Sequence, residues 1–339
     1  MTDTLSLLNE FDGLIRHDPA MRGLISSERH FGPVCPGHFA GAAQSLAGHD
    51  LTVAIVTGFY VPKAEPPAAE TDGPPGALRL ALALEAIGYQ VVLITDAWCK
   101  NALRVAAEGM GFPPEQVLAF PQTEEDVWIE WFFTEGIGSN LTHLIAIERV
   151  GPTHTQESFT RQTPDPESQE IFLQHVAPES WGRCHNMRGE IIDEWTGGLH
   201  RLFEFAADSR PEIRTIGIGD GGNEIGMGCL SFREISQRLA GHRIAHLPCR
   251  IATNWNIVAG ISNWGAYALA AGVLSLRERV DVMEPWTCTR EEDALKHLVQ
   301  HGPAVDGATR LHEATVDGLP FITYIQTWAA IRRRLGLPE

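Results

Sequence analysis

The sequence predicts an α/β protein. It should have a mostly parallel sheet covered by helices on both faces, with a helical N-terminal lead-in and an inserted lid segment. Two observations carry this. From residue 51 onward, short apolar runs alternate with longer helical segments, the order that builds a parallel sheet under helices. Glycine-rich, acidic loops then follow several of those runs, and in open parallel sheets ligands sit outside the carboxyl ends of the strands.

Residues 1–50 form the lead-in, with helix spacing from Leu5 to Ile15 and an irregular Gly32-Pro-Val-Cys-Pro-Gly. The first strand spans 51–58. After a Pro-rich stretch comes Glu70-Thr-Asp-Gly-Pro-Pro-Gly-Ala-Leu, where Pro74 or Pro75 suits a first helical turn and Asp72 or Thr71 its cap. The helix 75–88 is apolar on most faces, which implies deep burial. Gly88-Tyr-Gln ends it. Strand 91–95, helix 99–110, strand 116–120, helix 123–135 and strand 142–148 follow. Residues 151–185 are polar and carry Pro152, Pro164, Pro166 and Pro178, yet Phe159, Ile171, Phe172 and Trp181 need burial; a lid over the sheet edge satisfies both. A helix at 189–207 leads to strand 213–219. A further strand is expected at 243–252, and Val258 to Leu276 reads as a buried helix of small residues. Helices 290–300 and 320–335 close the chain, the second with Pro320 in its first turn. Residues 51–339 are thus expected to form a single α/β domain, with 151–185 as an insertion or lid.

Composition narrows the function. With 44% hydrophobic and 20% charged residues, the chain is a soluble globular protein with a sizeable core. There is no run of 18 apolar residues to span a membrane. The N-terminus lacks the basic-then-apolar order of a signal peptide, so a cytoplasmic location is expected. Six cysteines are scattered without C-x-x-C pairs, as reduced thiols without a cysteine-type zinc site. A net charge of −17 repels phosphate backbones, so nucleic acid is not an expected partner. The fourteen histidines show no H-E-x-x-H spacing, and the loop at 70–78 matches neither the phosphate-binding G-x-x-x-x-G-K-[ST] motif nor G-x-G-x-x-G, which sets ATP and NAD aside. A homo-oligomer stays open.

The chemistry concentrates in three loops. Thr215 to Gly228 runs from an apolar strand into Asp220, Asn223 and Glu224 among glycines 219, 221, 222 and 226. Such a turn lets backbone approach a ligand, and its carboxylates offer hard oxygen ligands or acid/base groups. Thr57 and the Glu70-Thr71-Asp72 triplet follow the first strand, and Glu148-Arg149 follows the fourth. Three acids on one rim are a costly like-charge cluster unless a cation or a basic substrate group neutralises them. This favours a divalent cation, Mn²⁺ or Mg²⁺ given oxygen ligands. Simpler readings exist for each part: Asp72 as a helix cap, Glu148 and Arg149 as a surface ion pair, Asn263-Trp264-Gly265 as packing. Asp306-Gly and Asp317-Gly-Leu-Pro are good turn chemistry.

Five segments carry a resemblance: Glu70-Thr-Asp-Gly-Pro-Pro-Gly-Ala, His185-Asn-Met-Arg-Gly, the 217–228 stretch, Val258-Ala-Gly-Ile-Ser-Asn-Trp-Gly-Ala-Tyr-Ala-Leu and Thr315-Val-Asp-Gly-Leu-Pro. In this order, from about residue 50 to 335, they resemble the D-glutamate cyclase family. The resemblance implies a lyase that closes D-glutamate to 5-oxo-D-proline with loss of water, and a divalent-metal site. Some relatives are similar to metal-dependent phosphatases, so an Mn-dependent phosphatase acting on a small phosphorylated substrate is the alternative, and a non-catalytic sensor of an acidic amino acid is a third. The chain departs from the pattern after Glu148-Arg149, where Gly151-Pro-Thr-His opens a polar insertion instead of a short Gly- and aromatic-rich segment. With glutamate as substrate, Glu70, Asp72, Asp220 and Glu224 are the expected metal ligands, and Glu148, Asp220 and Glu224 the catalytic groups, Glu148 taking the ammonium proton. Arg149 and Arg188 would clamp the α-carboxylate, with Thr57, Thr71, Asn186, Asn223, Ser262 and Asn263 as further substrate contacts.

Overall fold

A computed structural model describes residues 2–162 and 166–338. Six strands make the central sheet: β1 (Thr52–Thr57), β2 (Gln90–Thr95), β3 (Val117–Ala119), β4 (His143–Ile147), β5 (Arg214–Gly219) and β6 (Trp255–Val258). Their order is β3-β2-β1-β4-β5-β6, with every neighbouring pair parallel. This is the doubly wound α/β order. The chain winds outward from β1 toward β3 and then back through β4 to β6, so the crevice opens between the ends of β1 and β4.

Helices cover both faces. Those that matter here are α1 (Thr2–Leu14), α2 (His38–Leu46), α3 (Pro74–Ala86), α4 (Lys100–Met110), α5 (Glu125–Thr134), α6 (His200–Ser209), α7 (Ser262–Leu276), α8 (Cys288–His301) and α9 (Gln326–Arg334). Strand side chains alternate between two cores, as the period of two requires. Val53, Ile55, Leu93, Ile145 and Ile218 meet α1 to α4 and α7 to α9 on one face. Ala54, Val56, Ile94, Leu144 and Ala146 meet α5, α6 and the lead-in residues Leu24 and Val34 on the other. Helix α7 is buried from Ser262 to Leu274 and packs against α3. Their approach depends on Gly76, where a Cβ would stand 2.8 Å from the Cα of Asn263 and 2.9 Å from the Cβ of Ala266. Among the described residues no helix is long and apolar enough to cross a membrane.

Four expected elements differ. The helix placed at 189–207 begins only at His200, because residues 184–192 fold back on themselves: the Ile192 N–H donates to the Cys184 carbonyl (2.9 Å) and the Cys184 N–H to Asp193 (2.7 Å). No strand forms at 243–252. Pro248 interrupts that run, and its backbone instead latches two other segments, Cys249 N–H donating to the Gly222 carbonyl and Arg250 N–H to that of Pro152. The last strand is Trp255–Val258, part of which had read as the start of α7; short apolar runs fit either period. The final helix, expected at 320–335, starts only at Phe321 because Leu319–Pro320 pairs with Thr315–Val316 as a hairpin ahead of it, and it runs as two pieces, Phe321–Tyr324 and Gln326–Arg334. Within 151–185, helices Gln156–Gln162 and Pro166–His175 bury Phe159 and Phe172 against Phe232 in a small cluster of their own.

Candidate active site

The loop leaving β1 returns as a short strand, Ala68–Glu70, which pairs with Tyr60–Val61 on one side and Ala304–Val305 on the other. That ladder fixes Glu70 beside Val305, and the Thr71 N–H continues it by donating to the Val305 carbonyl (2.8 Å). Gly73 follows at φ +99°, where a Cβ would meet Thr57 Oγ1 at 2.7 Å and Glu148 Cβ at 3.0 Å. Only glycine fits between those neighbours.

Helices α3 and α7 then cap each other. Asp72 accepts the N–H groups of Ser262 and Asn263 at the start of α7, both at 2.9 Å, and that of Gly73 at 3.0 Å. Asn263 Oδ1 accepts Gly73 N–H (3.0 Å) and Gly76 N–H (2.7 Å) at the start of α3, while its Nδ2 donates to the Thr71 carbonyl (3.2 Å). Each side chain satisfies N–H groups that a helix terminus otherwise leaves open. Asp72 is therefore a cap, and it is also a member of the acidic cluster.

Glu148 leaves β4 at φ +44°, an unusual conformation for a glutamate. Its N–H donates to the Ile218 carbonyl (3.1 Å), and its carboxylate accepts the Ser262 hydroxyl at 2.5 Å. The β5 loop closes on itself: the Glu224 carboxylate accepts the N–H groups of Asp220 (3.0 Å), Gly221 and Gly222 (both 2.7 Å). Asp220 differs. It is 2% exposed and neither of its carboxylate oxygens accepts a hydrogen bond.

These acids converge. Carboxylate oxygens of Asp72, Asp220 and Asp317 lie within 4.8 Å of one another, as do those of Glu148, Asp220 and Glu224. Asp220 belongs to both trios. Among the described residues one guanidinium reaches them: Arg22 pairs with Asp317 and stands 3.6 Å from Asp220. Burial raises Asp220 well above the usual carboxylate range, with Arg22 opposing and Glu148, Asp317 and Glu224 adding. Glu148 and Glu70 are raised well above it too, by burial first and neighbouring acids second. Asp72 is pushed up to about 8 by burial and Asp317, against the pull of the backbone N–H groups it accepts. Counting Glu70 and Glu224, six carboxylates face one guanidinium, so the pocket needs protons or further positive charge to be stable. A hard, oxygen-only donor set around the orphaned Asp220 fits a divalent cation.

The other expected site residues divide clearly. Glu70 lines the cavity above the cluster, although among the described residues neither trio includes it. Thr57 Oγ1 is buried without a hydrogen-bond partner beside Gly73. Asn223 donates to the His185 carbonyl (2.9 Å) and leaves its Oδ1 open on the cavity wall. Ser262 and Asn263 sit at the floor as described. Thr71 is turned away, its hydroxyl donating to the Thr315 carbonyl (2.7 Å). Asn186 lines the wall, yet its amide holds its own turn, donating to Glu190 and accepting from the N–H groups of Arg188 and Glu190. Arg188 lines the cavity mouth and donates to the Ala308 carbonyl (3.0 Å). Arg149 is the clearest difference. It is neither a surface partner of Glu148 nor a cavity residue, but is buried and bonded to Asp96 (2.6 Å) and to the carbonyls of Gly58 and Gly197 (both 2.7 Å).

Two further members complete the cluster: Arg22, which no sequence signal marks, and Asp317, from the Thr315-Val-Asp-Gly-Leu-Pro segment. Arg22 is aimed by a turn in which Asp18 accepts the N–H groups of Arg22 (2.7 Å) and Gly23 (2.9 Å). Asp317 occupies the Asp-Gly turn of the Thr315–Pro320 hairpin at φ +53°, a turn anchored by Asp306, which accepts Thr315 Oγ1 and Gly318 N–H at 2.7 Å each. Two sequence signals bear on Asp317: its Asp-Gly pair, which marks a turn, and its place in the resembling Thr315-Val-Asp-Gly-Leu-Pro segment.

The cavity above the cluster has a volume of about 150 Å³, small beside the ~300–1,000 Å³ of drug-sized pockets, so it suits a metabolite of a few heavy atoms. Glu70 and Glu148 lie in its wall with Arg22, Lys63, Arg188 and Arg310. Residues 12–165 and 156–332 match the family described as D-glutamate cyclase-like, C-terminal. The chain is also 29% identical over 341 residues to D-glutamate cyclase, mitochondrial, of Homo sapiens, covering 93% of this chain and 49% of that protein. It thus spans about half the length of that relative. With the family match running through nearly the whole fold, the chain belongs to the D-glutamate cyclase-like family, C-terminal type.

Proposed function

We propose that this chain is a D-glutamate cyclase-type hydro-lyase that converts D-glutamate to 5-oxo-D-proline and water, assisted by Mn²⁺ or Mg²⁺. The observation that carries the reading is the mixed charge of one small cavity: buried acids around an orphaned Asp220, and four basic side chains in the wall. Glutamate carries one ammonium and two carboxylates, and such a pocket complements both signs.

Ring closure forms a bond from the α-nitrogen to the δ-carbon, the carbon of the γ-carboxylate, and breaks one C–O bond there. The ammonium loses two protons, and the departing carboxylate oxygen gains two and leaves as water. A single shuttling group therefore suffices. Glu148 suits it, because burial and the acids around it hold its affinity for protons high, and the Ser262 hydroxyl fixes its orientation at 2.5 Å. Arg188, and Arg22 where it is not engaged by Asp317, are placed to hold the carboxylates by charge-assisted bonds. Asp220 and Asp72, with Glu148 and Glu224 beside them, are the residues to hold a cation, which when bound withdraws charge from the γ-carboxylate that otherwise resists attack.

A phosphatase on this rim would use helix N-termini for the phosphoryl oxygens. Here Asp72 and Asn263 already engage the leading N–H groups of α7 and α3, which favours the amino-acid substrate. The test is incubation of Mn²⁺-loaded protein with D-glutamate, L-glutamate and a phosphomonoester side by side. Loss of primary amine from D-glutamate is expected. Phosphate release with no amine loss, or ligand-induced thermal stabilisation without turnover, would overturn the reading.

A further inference from the structure

Away from the acidic cluster, the lead-in and the β5 loop bring two thiols together. Cys35, between the short helix Glu28–Phe31 and α2, places its Sγ 3.5 Å from that of Cys229, which follows directly on the Thr215–Gly228 stretch. The two residues are 194 positions apart in sequence. Cys35 is buried at φ +49° and Cys229 is partly exposed, so the pair sits just beneath the surface with one sulfur open to it. The Asn256 side-chain amide approaches Cys35 Sγ at 4.0 Å and Met227 Sδ at 3.4 Å, and a ring nitrogen of His38 lies within 4.8 Å of both thiols.

Two cysteines and a histidine suggest a soft metal at first sight. The hydrogen bonding argues otherwise. His38 Nδ1 accepts the backbone N–H of Asn256 at 2.8 Å, which puts the ring proton on Nε2 and leaves neither nitrogen a free lone pair for a metal. What remains is a dithiol. Joining it means closing the sulfurs from 3.5 Å to the ~2.05 Å of a disulfide, about 1.5 Å of approach.

We infer that Cys35 and Cys229 form a redox-switchable pair, oxidised by a hydroperoxide to a disulfide that ties the lead-in to the β5 loop. The Cys35 sulfur, as thiolate, attacks one peroxide oxygen; the O–O bond breaks, hydroxide leaves and takes a proton, and a sulfenic acid forms. Cys229 then gives up its thiol proton and attacks the Cys35 sulfur, the S–O bond breaks, and water leaves. Two thiols and one hydrogen peroxide give one disulfide and two waters. The Cys35 thiol is also drawn below its ordinary value, chiefly by the hydrogen bond from Cys229. The bond links the segment carrying Arg22 to the loop carrying Asp220 and Glu224, so the redox state acts on both sides of the acidic cluster.

The test uses the full chain, reduced and then treated with a few equivalents of hydrogen peroxide, with thiols counted after denaturation and cross-linked peptides mapped by mass spectrometry. The expected result is a fall from six titratable thiols to four, one Cys35–Cys229 peptide, and full reversal by dithiothreitol. Cys35→Ser and Cys229→Ser should each abolish that cross-link; the wild-type peptide map decides the matter even if a variant fails to fold. Six surviving thiols, a cross-link between Cys184 and Cys249 instead, or one tightly bound Zn²⁺ lost in both variants without peroxide cross-linking would each overturn the inference.

Discussion

Replacing Asn263 by alanine strikes the junction on which the site is built. The side chain is fully buried and makes three hydrogen bonds: two accepted from Gly73 and Gly76 at the start of α3, and one donated to the Thr71 carbonyl. Alanine leaves the buried Gly76 N–H and the buried Thr71 carbonyl without partners, while the Gly73 N–H keeps its bond to Asp72. At about 1–2 kcal/mol for each orphaned group, the loss is roughly 2–4 kcal/mol. An unfolding entropy of about 2.1 cal/mol/K per residue over 339 residues is roughly 0.7 kcal/mol/K, so the midpoint should fall by about 3–6 °C. Calorimetry of wild type and Asn263→Ala under one buffer measures it. The same variant should bind Mn²⁺ more weakly, because the Asn263 side chain holds the backbone on either side of Asp72, at Thr71 and Gly73. A midpoint drop below about 1 °C would refute the reciprocal-cap reasoning, since it would mean that these groups find other partners at little cost.

Ser262→Ala removes the hydroxyl that donates to Glu148 and helps hold it ionised; the acid limb of the pH–rate profile should move to higher pH with a turnover loss of about tenfold, whereas an unmoved limb would detach Glu148 from the chemistry. Arg22→Met removes the one guanidinium paired within the cluster, so Mn²⁺ should bind more tightly, by about tenfold in titration calorimetry; weaker binding would show that Arg22 supports the cation site instead of competing with it. His143, bonded to Ser45 and Thr142, is held down to about 4 by burial, with Arg214 adding. Because its folded value lies below its ordinary 6.5, its contribution is complete above pH 6.5 and is lost as pH falls toward 4. Wild type should therefore lose about 3 kcal/mol relative to His143→Gln across that window, and a pH-independent difference would contradict a buried neutral imidazole.

Much of this architecture could be read from the chain. Apolar runs such as Val53 to Val56 and Ile145 to Ile147 place Thr57, Glu148 and Asp220 at the carboxyl ends of parallel strands, and the doubly wound order brings those ends to one crevice. Arg149 shows where adjacency in sequence misleads. It follows Glu148 directly, yet Glu148 turns out of the strand at φ +44°, and Arg149 goes to Asp96 while Glu148 goes to Ser262. Arg22 was out of reach for another reason, and Asp317 was legible only as a turn within a resembling segment. Arg22 comes from the lead-in and Asp317 from a hairpin 295 residues away, and nothing local in either segment reports their meeting. Thr71 and Asn186 carried the right chemistry at the right place in the chain, but their polar atoms serve the backbone around them.

The measurement that bears most directly on the site is calorimetric titration of Mn²⁺ into the metal-free chain, wild type against Asp220→Asn. Asp220 is common to both acid trios and has no hydrogen-bond partner of its own, so its substitution removes a ligand without breaking a cap. About one Mn²⁺ per wild-type chain, with affinity lost by two orders of magnitude or more in Asp220→Asn, is the predicted result. Equal binding by both proteins, or none by either, would contradict a cation held among these acids.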